Sequence, residues 1–189
     1  MEEKQAFLAQ LAAFTPRCEQ EEADLRLMLR CGVCFDELLT RENPIAHVTA
    51  SAWIVTPDRS RVLLAYHNQY QSWAWLGGHA DGDGNLLRVA LREAREESGL
   101  EHVRPVTDAL FSIEVLPVAQ HIKRGKFVSA HLHLNATYLL EADATEPLHC
   151  KPDENSGVRW FRPADVMAAV SEREMRAVYQ KLMDRTAGF

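Results

Sequence analysis

The chain has 189 residues, of which 47% are hydrophobic and 25% are charged, and its formal net charge is -6. Proteins that bind duplex nucleic acid carry a basic surface, so we do not expect nucleic acid as a partner of this acidic chain. No apolar run is long enough to span a bilayer, so we do not expect a membrane as a partner either. The first residues lack a charged-then-apolar signal sequence, which favours a cytoplasmic protein. The length suits one domain with an extension.

Residues 1–43 predict an N-terminal helical extension, because apolar residues recur there at helical spacing. We expect a first helix around Phe7–Phe14 and a second that starts at Thr15-Pro16 and ends near Gly32. The apolar faces of these helices either cover the core or pair two subunits as a homodimer. Asn43-Pro44 marks the boundary, so the main domain is predicted over 44–189.

Four cysteines stand at positions 18, 31, 34 and 150, without the spacing of a disulfide framework. Cys31 and Cys34 form a single CxxC pair. The pair is either two packed or idle thiols or part of a metal site that would need Cys18, Cys150 or His149.

Strands and helices intermix after this boundary, which predicts an α/β domain around a mixed sheet. The predicted elements before the middle of the chain are a strand over 47–56, a turn over 57–60, a strand over 61–67, and a helix that follows the glycine-rich turn over 78–84. After them come a strand region over 103–118 broken at Pro117, an alternating strand over 128–140 with one face buried, and a short strand through Trp160-Phe161. The last elements are a helix opened by Pro163 and a final helix begun by the capping box Ser171-x-x-Glu174.

The segment from Gly78 to Leu100 carries most of the functional information. A glycine-rich turn leads into a helix on which Glu93, Glu96 and Glu97 share one arc, at about 100° per residue. Like charges this close repel, and Mg²⁺ or Mn²⁺ is the kind of ion that offsets the repulsion, because hard cations prefer carboxylate oxygens. The alternative is a solvated acidic face, but an apolar stripe beside the carboxylates indicates a docked helix. The stripe consists of Leu87, Ala90, Leu91 and Ala94.

This segment resembles the Nudix box, the motif of the Nudix hydrolase family. Gly78 matches the first glycine, and the run Arg92-Glu93-Ala94-x-Glu96-Glu97-x-Gly99-Leu100 matches the second half in register. The resemblance implies an α/β/α sandwich with a mixed sheet. It also implies Mg²⁺- or Mn²⁺-dependent hydrolysis of a nucleoside diphosphate linked to another moiety, a small nucleotide-like substrate.

The resemblance assigns roles to individual residues. Glu93, Glu96 and Glu97 are the implied metal ligands, with Glu96 and Glu97 also catalytic. Gly78 adds its backbone carbonyl oxygen, and Arg92 orients the carboxylates.

One position departs from the motif, because Gly84 stands where the family has its first glutamate. Either Asp81 or Asp83 supplies a carboxylate from a shifted turn, or Asp83 or Asn85 simply caps the helix. The departure motivates a second hypothesis, a catalytically weakened Nudix-fold module that binds nucleotides or regulates.

The general base and the substrate contacts have several candidates. Glu154 is either the base, reaching the metals from its loop, or a solvated turn residue. His131 and His133 lie on the polar face of the alternating strand, which either lines a cleft or meets water. Further candidates are Glu114 as a base, Trp75 as a stacking surface for a nucleobase, His79 after the double glycine, and the basic hairpin tip from Lys123 to Lys126.

Overall fold

The computed structural model describes residues 2–123 and 125–189, so Arg124 of the predicted basic tip lies outside the described residues. The helices and strands follow in chain order. They are α1 (Glu2–Ala13), α2 (Glu19–Cys34), β1 (Ala46–Val55), β2 (Val62–His67), β3 (Ser72–Ala74), β4 (Leu76–His79), α3 (Leu86–Ser98), β5 (Arg104–Pro105), β6 (Ser112–Val118), β7 (His121–Lys123), β8 (Lys126–Val128), β9 (His131–Glu141), β10 (Asn155–Phe161), α4 (Pro163–Ala169) and α5 (Arg173–Thr186).

The predicted N-terminal helices are present, with different limits for the second. α2 begins at Glu19 instead of Pro16, since Cys18 has an extended backbone and is the N-cap, and the Glu21 carboxylate accepts a 2.9 Å hydrogen bond from the Arg17 amide just before the helix. The helix also continues past Gly32 to Cys34. A side-chain carbon at Gly32 would meet Leu8 of α1, so this glycine permits close helix packing and does not end α2.

Eight of the ten strands in the described residues form one sheet, in which the order along the main path is β10-β2-β1-β9-β5, and β7 pairs with β8 in a separate two-stranded sheet. Contacts divide the chain into two compact units. The first comprises Met1–Ala50, Gly78–Val89 and Ala109–Thr137, and the second comprises Ser51–Gly77, Ala90–Asp108 and Tyr138–Phe189.

In the first unit, β6 pairs antiparallel with β9 from Ser112 opposite Thr137 to Val118 opposite His131. The Gln20 side chain of α2 donates a hydrogen bond to the backbone carbonyl of Ile113 in β6. Both faces of β9 are buried from Leu134 onward, so the prediction of a single buried face is wrong there. The second face is buried because its Asn135 and Thr137 side chains hydrogen-bond to the buried carboxylate of Glu114.

In the second unit, β2 pairs antiparallel with three strands. It pairs with β10 along its length, with β1 at its start and with β3 at its end. α5 packs its Tyr179 ring against Trp53 of β1, with the ring centroids 5.7 Å apart. The predicted capping box at its start is not formed. The Ser171 hydroxyl donates instead to the carbonyl of Gln71, and Glu172 is the N-cap.

The helix of the glycine-rich segment is present as α3. Asn85 caps it by accepting a hydrogen bond from the Arg88 amide, and Gly99 ends it with φ at +74°. Ala90 and Ala94 of the predicted apolar stripe are fully buried, whereas Leu87 and Leu91 are only half-buried. Leu86 and Val89 complete the docked face of the helix, so the prediction of the stripe is correct for two of its four residues. In the part of the chain that the structure describes, no helix is long and apolar enough to cross a membrane.

Candidate metal centre and active site

Three carboxylates converge in the second unit. One oxygen from each of Glu93, Glu97 and Glu154 lies within 4.8 Å of the other two. Glu93 and Glu97 come from the buried side of α3, four residues apart, and Glu154 comes from the loop before β10. Such a group of oxygens is the donor set that a hard divalent cation prefers.

Glu97 is the most deeply placed of the three, with 4% of its surface exposed. Burial raises the pKa of its carboxyl to about 8, and the nearby Glu154 and Glu93 charges push the pKa in the same direction. The Gly77 amide opposes this shift by donating a 2.9 Å hydrogen bond to the carboxylate. Glu97 therefore has the electrostatic character of a group that needs a counter-cation.

Arg92 bridges two glutamates of α3. Its guanidinium donates a 2.8 Å hydrogen bond to Glu93 and lies 3.9 Å from a carboxylate oxygen of Glu96. Glu93 is 9% exposed, whereas the Glu96 side chain is half-exposed. The arginine thus holds Glu93 in place from the more exposed side of the helix.

Lys151 and Glu154 are carried by a tight loop before β10. The Lys151 ammonium lies 3.2 Å from Glu96 and 3.1 Å from Glu154, and these carboxylates raise its pKa against the opposing effect of burial. One cation thus balances two carboxylates at the edge of the group.

Asn155 fastens this loop to α3. Its side-chain amide donates a 3.0 Å hydrogen bond to the backbone carbonyl of Glu97 and accepts one from the Lys151 amide. Asn155 is fully buried, so its bond to Glu97 is shielded from water. The side chain positions both Lys151 and Glu154.

The glycine-rich turn lies in the first unit and has its acidic residues already paired. Asp81 forms a two-point ion pair with Arg41, and Asp83 forms one with Arg88. The Gly84 amide donates a 2.6 Å hydrogen bond to the carboxylate of Glu3. Of the alternatives for this turn, helix capping by Asn85 is the one that the structure displays.

Four histidines of the first unit form a compact group. The His47 ring lies 4.7 Å from that of His131 and 5.1 Å from those of His79 and His133, measured between centroids. The face of β9 that carries His131 and His133 thus packs against other imidazoles.

The same face of β9 continues into a buried network. Glu114 is 1% exposed, and its carboxylate accepts hydrogen bonds from Asn135, Thr137 and Ser112. The structure buries Glu114, so it is not a surface carboxylate of its strand. These hydrogen bonds account for its burial, and its role as a base stays a prediction.

Trp75 and the four cysteines are the remaining residues for which the sequence suggested a role. The Trp75 ring packs edge-on against Tyr179, with centroids 5.5 Å apart, and is partly exposed. Cys31 is buried, Cys34 and Cys150 are exposed, and all four cysteines are free thiols. Among the described residues, the groups that can hold a metal contain no cysteine.

Comparison with known proteins decides the family. The family model for the NUDIX domain matches residues 46–183. The chain belongs to the Nudix family. It is therefore a Nudix-type pyrophosphohydrolase in class, and the identification made from the Nudix box is confirmed.

Solved structures with the Nudix fold resemble this chain at low sequence identity. An Ap4A hydrolase from C. elegans gives a TM-score of 0.55 at 20% identity, over 75% of this chain and 98% of its own. The Nudix hydrolase RenU from M. smegmatis gives 0.55 at 21%, over 76% and 87%. The E. coli dihydroneopterin triphosphate pyrophosphohydrolase gives 0.54 at 15%, over 72% and 94%. The search among curated proteins found no match. These likenesses confirm the predicted α/β Nudix fold.

Within the Nudix box, the geometry sorts the predicted glutamates. Glu93 and Glu97 belong to the converging group, and Glu96 pairs with Arg92 and Lys151 at its side. The roles of Glu96 and of the Gly78 carbonyl stay predictions. Likewise, the boundary at residue 44 stays a prediction, with the family match starting two residues later.

Sequence reasoning missed Lys151 and Asn155. Both lie in the run Lys151-Pro152-Asp153-Glu154-Asn155, which has the composition of a turn. The sequence points to a functional role there only for Glu154. The available signal was the lysine three residues before the candidate base, since this spacing lets opposite charges meet.

Proposed function

We propose that this Nudix protein is a Mg²⁺-dependent hydrolase, with Mn²⁺ as the alternative ion, that cleaves the pyrophosphate linkage of a nucleoside diphosphate joined to another moiety. The observation that carries the proposal is the convergence of Glu93, Glu97 and Glu154 within 4.8 Å. The family generally acts on small nucleotide-like substrates of this kind.

The residues present fit a divalent cation. The Glu97 carboxyl, with its pKa near 8, is costly to ionise in its buried position. A cation between the three glutamates would offset the cost of burying its charge and the repulsion from Glu93 and Glu154. In our proposal Glu93 and Glu97 hold the ion, with Glu96 and the Gly78 carbonyl as further predicted ligands. When bound, such an ion neutralises phosphate charge and lowers the pKa of a coordinated water.

The chain's own residues supply the proton transfer and the positioning. Glu154 is the proposed general base, since it is the most exposed of the three and lies on a loop beside them, with the Lys151 ammonium 3.1 Å from its carboxylate. It takes a proton as water attacks one phosphorus, the P–O–P bond breaks, and each product leaves with a phosphate. Arg92 keeps Glu93 oriented through their 2.8 Å hydrogen bond.

Side chains at the surface supply the proposed substrate contacts and the proposed subunit contact. Trp75 offers a partly exposed aromatic ring for a nucleobase, and His79, His131 and His133 offer imidazole donors for phosphate. Leu27 and Val33 of α2 are exposed apolar residues, which is the support for pairing of two subunits.

A substrate panel with excess Mg²⁺ or Mn²⁺ tests the proposal. The panel contains nucleotide sugars, dinucleotides including Ap4A, ADP-ribose, nucleoside triphosphates and dihydroneopterin triphosphate, with separation of the products. We expect turnover of at least one compound, its loss on chelation, and products that each carry phosphate. Binding of a nucleotide without turnover of any compound would favour the second candidate, the weakened binding or regulatory module that the missing glutamate at Gly84 motivates.

A further inference from the structure

The compact histidine group of the first unit includes three members whose ring nitrogens can meet at one point. His47, His79 and His133 each offer a nitrogen within 4.8 Å of the other two. They come from β1, the end of β4 and β9, so the chain brings together positions up to 86 residues apart in sequence. None of the three belongs to the carboxylate group of the proposed function.

His47 has the hydrogen bonding of a metal-binding histidine. Its Nδ1 lies 3.2 Å from the carbonyl oxygen of Asn43, and because a carbonyl only accepts, Nδ1 carries the proton. A neutral ring in this tautomer has its lone pair on Nε2. A backbone carbonyl bonded to the far nitrogen is the common support of a histidine that binds metal through the other.

The Nε2 of His47 is buried, and among the described residues it has no hydrogen-bond partner. His47 as a whole is only 5% exposed, so this atom is shielded from bulk solvent. Buried polar atoms in folded proteins nearly always have a partner, and an unsatisfied one calls for an explanation such as an ion. Burial also lowers the pKa of His47, which keeps the ring neutral and able to bind.

The surroundings suit a cation held by neutral ligands. The positive charge of Arg41 lowers the pKa of His47, and the two-point ion pair of Arg41 with Asp81 balances this charge. His131 lies beside the three, its ring 4.7 Å from that of His47, and its Nδ1 likewise donates to a carbonyl, that of Ser129.

We propose that His47, His79 and His133 form a second metal site, distinct from the carboxylate centre, which binds a transition-metal ion of the Zn²⁺ class. Imidazole nitrogen is a ligand of Zn²⁺, Co²⁺ and Ni²⁺, whereas Mg²⁺ prefers oxygen. Zn–N bonds of about 2.0–2.1 Å require modest rotations of the rings toward one another. Three histidines leave one coordination position open, which water or His131 completes.

Metal analysis of the full-length protein tests this site without an activity assay. The protein is stripped with a chelator, incubated with Zn²⁺ in the presence of excess Mg²⁺, and desalted. We expect one Zn²⁺ per chain to remain, and Co²⁺ in its place to give the visible absorption of a four- or five-coordinate site. Failure to retain Zn²⁺ together with no such Co²⁺ spectrum would overturn the proposal.

Matched variants locate the ion. His47→Gln and His133→Gln should each weaken Zn²⁺ binding at least tenfold, while His102→Gln, an exposed histidine elsewhere, should leave it unchanged. Glu97→Gln should also retain Zn²⁺, which separates this site from the carboxylate centre. If the histidine variants fold and keep full Zn²⁺ affinity, the metal site is refuted, whatever the effect of the substitutions on KM.

Discussion

The carboxylate of Glu3 accepts a 2.6 Å hydrogen bond from the backbone amide of Gly84. Gly84 is also the position at which the Nudix box lacks its first glutamate. A side-chain carbon there would lie 2.1 Å from the backbone oxygen of Glu3, and the Gly84 carbonyl accepts a hydrogen bond from Gln10 of the same helix. The N-terminal helix therefore occupies the space that a side chain at residue 84 would need.

Adding a side chain at residue 84 is accordingly expected to destabilise the protein. Because the atom in the way is backbone, Gly84→Ala must displace α1, and we expect a loss of about 1–3 kcal/mol in the free energy of unfolding. Gly84→Glu should lose at least as much. Denaturant unfolding measures this, with Gly188→Ala as the control, since a side chain there meets only an ordinary 3.5 Å contact. Equal stability of both alanine variants would contradict the contact.

Neutralising Glu97 tests the carboxylate centre. Glu97→Gln removes the charge of the most buried of the three converging carboxylates, and we expect kcat to fall by well over tenfold. Mg²⁺ affinity, measured by calorimetry, should fall with it. Glu101→Gln changes an exposed glutamate just beyond the helix and should behave like the natural protein. Full activity of the Glu97 variant would show that this acidic group does not hold the metal.

The raised pKa of Glu97 predicts how stability depends on pH in the absence of metal. The ordinary pKa of the carboxyl is 4.5, and in the folded protein it is about 8. Between these values the folded state holds a proton that the unfolded state has released, so stability falls as pH rises from 4.5 to 8. Thermal unfolding in a chelator measures the fall, and Glu97→Gln should flatten it. A slope unchanged by this substitution would refute the assignment.

Metal binding should carry the matching proton signal. At neutral pH a cation has to displace the proton from Glu97, so Mg²⁺ binding releases protons and tightens toward pH 8. Calorimetric titrations in buffers of different ionisation enthalpy count the released protons. Mg²⁺ binding that is independent of pH between 6 and 8 would mean that Glu97 is already ionised.

The sequence predicted the parts of this protein that depend on local pattern. The box helix, its ending at Gly99 and the convergence of Glu93 with Glu97 follow from spacing on one helix, because residues four apart share a face. Pro163 likewise opens α4 as expected. Such features need no knowledge of distant residues.

The remainder depends on partners far away in the chain. Ser171 and Glu174 have the pattern of a capping box, but Gln71 accepts the serine hydroxyl, so a tertiary contact replaced the local one. The polar face of β9 has a strand's alternation, and only the packing of Glu114 against it shows that this face is buried. The glycine at position 84 likewise depends on a distant contact, because its partner Glu3 lies 81 residues earlier in the chain.

Asn155 is the residue whose function only the structure makes visible, and its replacement tests the role of the loop. Asn155→Ala leaves the Glu97 carbonyl and the Lys151 amide without their partner, at a cost of about 1–3 kcal/mol in stability. Because the loop carries Glu154, we expect kcat to fall up to about 10²-fold from a displacement of about 1 Å. KM should change much less, since no substrate contact is assigned to Asn155.

Asn68→Ala is the matched control for this loop. Asn68 is exposed, and its side chain donates a 3.3 Å hydrogen bond to the carbonyl of Pro152 in the same loop. Loss of this solvent-accessible bond should change kcat by no more than a few-fold. If both alanine variants reduce kcat equally, or if Asn155→Ala loses stability with kcat intact, Asn155 supports the fold and does not position the proposed base.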